Sequence, residues 1–512
     1  MKQKTKSGKY LQQRKTSWSG AVTVSVGIFL VIACLLFYAA LWYVGTYGDT
    51  GFDSILFTLF SDLGGTQSGL IAAFGLKALL PAVLTAAALC WVLVALPRKY
   101  AGCPRWLLRV LAVGTGIIML AAAAISTGLP EYLYGMINQT SLFEKYYVAP
   151  GANNITFPEK KRNLIYIFLE SMETTYLSED LGGTREENLI PELTGLAQEN
   201  LCFSHNADVG GFLPVNGTTW TIGAMVAHTS GVPLKTPSDV EDWQNGYGED
   251  GEFLPGIRSL QDVLAAEGYY QTLMVGSVAS FGGRSVYYET HGADHIYDLS
   301  TARRDGIIPS DYFVWWGMED KYLFEYAKQE LTEISQREEP FAFTMLTVDT
   351  HHIGGYVCEY CGAEREEQYE NVISCSDRQV AEFVAWLREQ PFYADTTIII
   401  TGDHLSMDRG YFERNVEEDY VRRDYNCFIN AAAETTHSKN RKFSALDMFP
   451  TTLAAMGCKI QGEYLGLGVN LFSGKPTLIE KLGYAEFDRQ LGMDSDYYAQ
   501  VFRLEEPDPA GE

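Results

Sequence analysis

Three long apolar stretches near the N-terminus constrain this chain more than any other feature. They cover residues 21–44, 69–96 and 106–125. Each is close to or above the ~20 residues that a helix needs to cross a bilayer. The middle stretch carries Lys77 and Pro81 near its start, so its span is expected to begin close to Ala78. A cleaved signal peptide does not suit the first stretch, whose apolar run is too long and is followed by two more. The flanking charges predict orientation. Lys2, Lys4, Lys6, Lys9, Arg14 and Lys15 precede the first span, Asp49, Asp53 and Asp62 follow it, and Arg98, Lys99 and Arg105 follow the second. Basic, acidic, basic is the positive-inside pattern for a multi-pass protein of the cell membrane with a cytoplasmic N-terminus. Everything after about Ser126 is then expected outside the cytoplasm.

The 512-residue chain carries a net charge of −25, yet residues 1–126 are net positive, so the outer part holds nearly all of the acid. Acidity of that kind serves solubility and excludes a nucleic-acid partner, because phosphate contacts need Lys and Arg. The expected organisation is a membrane domain over 1–126, an interfacial linker over 127–162 and an extracytoplasmic catalytic domain over 163–512. The linker mixes aromatics with a few charges, a composition that suits either the membrane interface or an exposed connector.

From Asn163 onward, strand-like runs alternate with helical patterns. Strands are predicted over 164–169, 270–275, 341–348, 396–401 and 426–431, and helices over 190–198, 259–267, 321–336 and 376–389. This alternation predicts an α/β fold with a central, mostly parallel sheet covered by helices.

Two of the strands end in metal-capable side chains. Thr396-Thr-Ile-Ile-Ile-Thr401 is followed by Gly402 and then Asp403-His404, and Leu164-Ile-Tyr-Ile-Phe-Leu169 by Glu170-Ser171. In open α/β sheets ligands bind beyond the carboxyl ends of the strands. Glu170, Asp403 and His404 therefore form a candidate site for one divalent cation with oxygen and imidazole ligands. Either strand alone is as well explained by a carboxylate in a polar loop. Between them lies Asn216-Gly-Thr-Thr-Trp-Thr-Ile, a hydroxyl-rich turn opening a helix that ends near Gly231. Thr218 or Thr219 there is either an N-cap or a hydroxyl at an anion-binding helix start. Such a hydroxyl is a weak nucleophile unless a metal or base activates it.

Of the nine cysteines, Cys358, Cys361 and Cys375 cluster in sequence. Zinc would need a fourth ligand at suitable spacing, which is missing, so a disulfide within the cluster is expected in an oxidising compartment.

The stretches Asn163-Leu-Ile-Tyr-Ile-Phe-Leu-Glu-Ser171, Gly217-Thr-Thr-Trp-Thr221, Asp349-Thr-His-His352, Ser374-Cys-Ser-Asp377 and Gly402-Asp-His-Leu405 occur in that order. Together they resemble the membrane phosphoglycerol transferases of the alkaline phosphatase and sulfatase superfamily. That group includes lipoteichoic acid synthases and enzymes that decorate periplasmic glucans, and the Trp-Thr-Ile and Cys-Ser-Asp stretches look closer to the glucan-modifying branch. The likeness runs from Asn163 to about Gly457. It implies a sulfatase-like domain with Glu170, Thr218, Asp403 and His404 as metal ligands and Thr218 as nucleophile, chosen over Thr219 by its distance to Gly231-Val-Pro233. It also implies that His351, with His352 the alternative, and Arg284 hold the phosphoglycerol group. Lipoteichoic acid synthases carry a tryptophan two residues before that arginine, where this chain has Gly282, and they typically have five spans rather than three.

The resemblance implies transfer of glycerophosphate from phosphatidylglycerol to a glycan or a teichoic acid-type acceptor such as polyglycerolphosphate, through a covalent threonine intermediate. It favours Mn2+ or Mg2+ over zinc. A phosphoethanolamine transferase or a metal-dependent phosphodiesterase would share the metal and the threonine. A sulfatase would need a Cys-x-Pro-x-Arg type stretch near residue 218, and none is there. The non-enzymatic alternative is a catalytically silent glycan-binding membrane protein, against which the intact set Glu170, Thr218, Asp403 and His404 argues.

Overall fold

A computed structural model describes residues 4–48, 51–60, 68–100, 102, 104–235 and 252–504. Lys2, Asp49 and Asp62 of the loop charge pattern, and Cys103, lie outside the described residues. The chain forms two compact units, one from residues 1–52 and 66–132 and one from 53–65 and 133–512.

The first unit is helical, with α1 (Lys4–Tyr47), α2 (Leu80–Lys99) and α3 (Arg105–Ser126) as its long elements. Gly20–Tyr47, Gly69–Lys99 and Arg105–Ser126 are long and apolar enough to cross a membrane, which marks a membrane protein. A π-helical turn, Gly75–Leu79, precedes α2 and lets the N–H of Leu80 reach the carbonyl of Gly75, just before Pro81 removes a donor from the ladder. Small residues let the helices approach closely. A Cβ on Gly116 would lie 2.4 Å from the Phe29 ring. Polar groups pair across the helices, as when Arg109 Nη2 donates to Thr23 Oγ1 at 2.8 Å. Val24, Trp91 and Ile118 remain exposed, as side chains facing lipid would be.

The second unit is built on a seven-stranded sheet. Its strands are β1 (Asn163–Leu169), β2 (Gly211–Phe212), β3 (Tyr270–Val275), β4 (His295–Tyr297), β5 (Phe341–Leu346), β6 (Thr396–Gly402) and β7 (Asp424–Ile429). The order is β2-β7-β6-β1-β5-β3-β4. The block from β6 to β4 is parallel, whereas β7 runs antiparallel to both of its neighbours, β6 and the edge strand β2. Each predicted strand is present within one residue of its expected ends, except at the start of β7 and the ends of β5 and β7, which differ by two. The short edge strands β2 and β4 have no apolar run long enough to signal them.

Burial on both faces explains the apolar strands. Along β1, Leu164, Tyr166 and Phe168 enter one core and Ile165, Ile167 and Leu169 the other. Helices cover both faces, among them α4 (Pro191–Glu199), α5 (Thr221–Ser230), α6 (Arg284–Thr290), α7 (Asp320–Ile334) and α8 (Gln368–Arg388). The last begins at Gln368 rather than at 376, because Tyr369, Val372 and Ile373 continue its buried face backward.

Candidate functional site

Parallel pairing of β1 with β6 sets Leu169 opposite Gly402. The next residues, Glu170 and Asp403, therefore leave the sheet side by side at its carboxyl edge. Gly402 is needed at this crossing, since a Cβ there would lie 1.9 Å from the Met172 carbonyl oxygen. Ser171 follows in left-handed backbone, with φ 55°. Its N–H donates to Asp403 Oδ1 and its hydroxyl to Glu170 Oε1, each at 2.8 Å. The N–H of His404 donates to the same Asp403 oxygen at 2.7 Å.

His404 Nδ1 lies 2.9 Å from the Leu405 carbonyl oxygen. A carbonyl only accepts, so Nδ1 carries the hydrogen and Nε2 is the atom left to face the carboxylates. Nε2 is 3.3 Å from Asp403 Oδ2 and 3.7 Å from Glu170 Oε1. Asp403 Oδ2 is buried without a hydrogen-bond partner. One ligand atom from each of Glu170, Asp403 and His404 lies within 4.8 Å of the others. Burial, then the Glu170 charge, raises the Asp403 pKa. Burial works against protonation of His404, but Asp403 and Glu170 outweigh it and raise its pKa to about 8. Two buried carboxylates with an orphaned oxygen and an oriented imidazole fit a divalent cation, which would supply the missing positive charge.

The loops beyond β3 and β5 bring further groups to this edge. Arg284 opens α6 after Gly282 and Gly283, both at positive φ. Its Nε donates to the Phe281 carbonyl at 3.0 Å, and its Nη2 to Ser277 Oγ at 3.0 Å and the Val278 carbonyl at 2.8 Å. Nη1 takes no part in these bonds. Burial lowers the arginine pKa to about 10, while Glu170, Asp403 and Asp298 pull it up. The guanidinium is thus held rigidly in the field of the two site carboxylates. His351 packs against Trp316 and His352, with ring centroids 4.6 and 4.2 Å away. Its Nδ1 donates to the His352 carbonyl at 2.8 Å, and burial, helped by His404 and Arg284, lowers its pKa to about 4 against the opposing pull of the His352 carbonyl and Asp403. His351 is therefore neutral near pH 7, with Nε2 free of that bond.

Thr218 is placed differently from its expected role. Its hydroxyl donates to the Val215 carbonyl at 2.8 Å and accepts the Val215 N–H at 3.1 Å, so it serves the turn that precedes α5. Besides that of Ser171, the hydroxyl of Thr221, the first residue of α5, stands beside the cluster, with Oγ1 3.3 Å from His404 Nε2. Thr221 and Ser171 contact the cluster, and sequence reasoning assigns neither of them a role. The run Thr218-Thr-Trp-Thr221 carries the signal for the first but not the phase of the helix start.

Other expected groups serve structure. Asp377 accepts the N–H groups of Glu192 and Leu193 at 3.0 and 2.7 Å and so caps α4. The expected disulfide among Cys358, Cys361 and Cys375 is not formed. Cys358 Sγ lies 3.7 Å from each of the other two sulfurs, and all three are free thiols.

The Sulfatase family profile matches residues 162–458. Phosphoglycerol transferase I of Salmonella heidelberg (strain SL476) is 28% identical over 473 residues, which cover 90% of this chain and 58% of that protein. The protein of the same name from Salmonella typhi matches equally. The chain thus spans 58% of the length of these curated relatives. Among solved structures, the lipoteichoic acid synthase LtaP from Listeria monocytogenes superimposes with a TM-score of 0.49 at 18% identity, over 65% of this chain and 80% of that one. The lipooligosaccharide phosphoethanolamine transferase A from Neisseria meningitidis does so with a TM-score of 0.48 at 13% identity, over 85% and 84%.

Proposed function

Because the chain belongs to the sulfatase family, we propose that it is a membrane-anchored phosphoglycerol transferase. It takes glycerophosphate from phosphatidylglycerol and passes it to an extracytoplasmic acceptor hydroxyl, on a glycan or a polyglycerolphosphate chain. The carrying observation is the Thr221 hydroxyl at the start of α5, 3.3 Å from His404 in the buried Glu170–Asp403–His404 cluster. The names of the curated relatives support phosphoglycerol as the transferred group.

Glu170, Asp403 and His404 would hold one divalent cation, Mn2+ or Mg2+, which would neutralise phosphate oxygens and make a nearby hydroxyl easier to ionise. Every other role falls to the chain. Ser171 fixes both carboxylates. Arg284, already held by three acceptors, presents Nη1 to a phosphate oxygen, and His351 lines the same edge. The N–H groups at the start of α5 favour the growing negative charge.

Thr221 Oγ1 is the nucleophile in this scheme. It loses its proton as the bond to phosphorus forms, and the diacylglycerol oxygen gains one as its own bond to phosphorus breaks. A glycerophosphoryl-threonine remains. An acceptor hydroxyl then displaces Thr221 from phosphorus and restores its proton. Membrane anchoring keeps the site near a donor that stays in the bilayer.

The test is mass spectrometry of the detergent-purified protein after incubation with phosphatidylglycerol. One glycerophosphoryl adduct is expected on Thr221, with release of diacylglycerol. Thr221→Ala abolishes both, whereas Thr218→Ala and Thr219→Ala retain turnover. An adduct on Thr218 restores the sequence assignment. An adduct only from phosphatidylethanolamine changes the donor class. Equal diacylglycerol release from all three variants overturns covalent catalysis and leaves a phosphodiesterase.

A further inference from the structure

Away from the candidate site, three thiols converge where the loop after β5 meets α8. Cys358 and Cys361 lie in the loop that begins with Asp349-Thr-His-His352, and Cys375 lies on α8. The N–H of Cys361 bonds the Cys358 carbonyl at 3.1 Å, which closes the Cys358-Glu-Tyr-Cys361 turn. Gln379 Nε2 donates to the Cys375 sulfur at 3.4 Å. Arg378, also on α8, holds the turn from outside by donating to the Tyr360 carbonyl at 3.1 Å.

The spacing of the sulfurs excludes a disulfide and is compatible with a shared metal ion. A disulfide holds its sulfurs at about 2.05 Å. A tetrahedral zinc with Zn–S bonds of about 2.3 Å holds its sulfurs about 3.8 Å apart, because that is the edge of such a tetrahedron. Cys358 Sγ lies 3.7 Å from both Cys361 Sγ and Cys375 Sγ, and the three sulfurs lie within 4.8 Å of one another. Amide N–H groups aimed at a sulfur stabilise a thiolate, the form that binds metal.

We propose that Cys358, Cys361 and Cys375 bind a zinc ion whose fourth position is open to solvent. The thiol protons are released to solvent as three Zn–S bonds form. Among the described residues no fourth histidine, cysteine or carboxylate joins the cluster. Cys358 and Cys375 are buried and Cys361 is partly exposed, so the fourth position lies on the Cys361 side and takes a water molecule. The ion clamps the loop that carries His351 to α8. This site stands on its own geometry and does not depend on the phosphotransferase reading.

The test uses the full-length chain, purified in detergent without chelator, in an Asp403→Ala background that empties the cluster at the sheet edge. Mass spectrometry of the metal should find about one equivalent of zinc per chain, falling ~10-fold or more with Cys375→Ser. Gln379→Leu keeps every thiol and should weaken zinc in competition with a chelator by ~10-fold. Replacing zinc with Co2+ should give a thiolate charge-transfer band that Cys361→Ser diminishes. Absence of zinc from the Asp403→Ala protein overturns the proposal. So does an intact mass lowered by a pair of hydrogens, with a cross-linked peptide joining two of these cysteines.

Discussion

The backbone N–H of Ser171 donates to Asp403 Oδ1 at 2.8 Å, although the two residues are 232 positions apart in the chain. The same serine holds Glu170 through its hydroxyl. One residue that is not itself a candidate ligand thus orients both carboxylates, and its φ of 55° is what aims the amide. Ser171→Ala should weaken cation binding by ~10-fold, as loss of an outer-shell partner does. Ser171→Gly should lose the same hydroxyl while easing the left-handed backbone, so its thermal stability should equal or exceed that of Ser171→Ala. Calorimetric metal titration and thermal unfolding check both points. Unchanged affinity in both variants would show that the serine hydroxyl positions nothing.

The cluster also predicts a pH dependence. Burial, then Glu170, raises the Asp403 pKa, and the two carboxylates raise that of His404 to about 8 despite burial. In the unfolded chain these groups titrate near about 3.9 and about 6.5. The folded, metal-free protein therefore binds their protons more tightly than the unfolded chain does. The stability this confers is present at the acidic end and is lost as pH rises through the folded values, up to about pH 8. Cation binding requires the protons to leave, so affinity rises over the same window. The difference in melting temperature between Mn2+-loaded and chelated protein should therefore grow from about pH 6 to about pH 8.5. Asp403→Asn should flatten it. A difference that shrinks with pH would contradict the assignment of these groups as ligands.

The strands were the legible part of this fold, and for a physical reason. A parallel sheet buried on both faces demands continuous apolar runs, so β1 and β6 announce themselves, and with them Glu170 and Asp403 just past their ends. Their adjacency follows once Leu169 pairs with Gly402, a register that sequence does not display. Thr221 is hidden because three threonines lie within four positions and the helix start, not the composition, selects among them. Ser171 is hidden because it acts through backbone conformation. Three cysteines in one short region are equally readable as a disulfide or a metal site until the sulfur separations are known.

Asp377 tests whether a motif residue is structural. Its carboxylate accepts two N–H groups at the start of α4. Asp377→Ala leaves both donors without that acceptor and should destabilise the protein by about 1–2 kcal/mol, with kcat and metal content unchanged. Thermal unfolding beside a turnover assay separates the two effects. A loss of kcat without a loss of stability would move Asp377 into the reaction.

Arg284 tests the phosphate grip. Its Nε and Nη2 are held by Phe281, Val278 and Ser277, which preorganises the guanidinium plane. Lysine keeps a charge but not the fork, so Arg284→Lys should lower kcat/KM by ~10²-fold. Metal affinity should change far less. A variant with wild-type kcat/KM would remove Arg284 from substrate recognition.

The orientation of the chain decides which leaflet supplies the donor. Arg98 and Lys99 end the second candidate span and Arg105 begins the third, and Asp53 follows the first. The positive-inside rule then predicts that residue 151 and the catalytic unit after it lie outside the cytoplasm. A reporter that is active only in an oxidising compartment, fused after Gly151, should be active, and one fused after Lys99 should not. Adding basic residues to the loop around Asp53 should reduce activity of the Gly151 fusion, because the charge bias that sets orientation would be weakened. Cytoplasmic activity of the Gly151 fusion would put the Glu170–Asp403–His404 cluster on the wrong side for an outer-leaflet lipid, and both the donor and the acceptor class would have to be replaced.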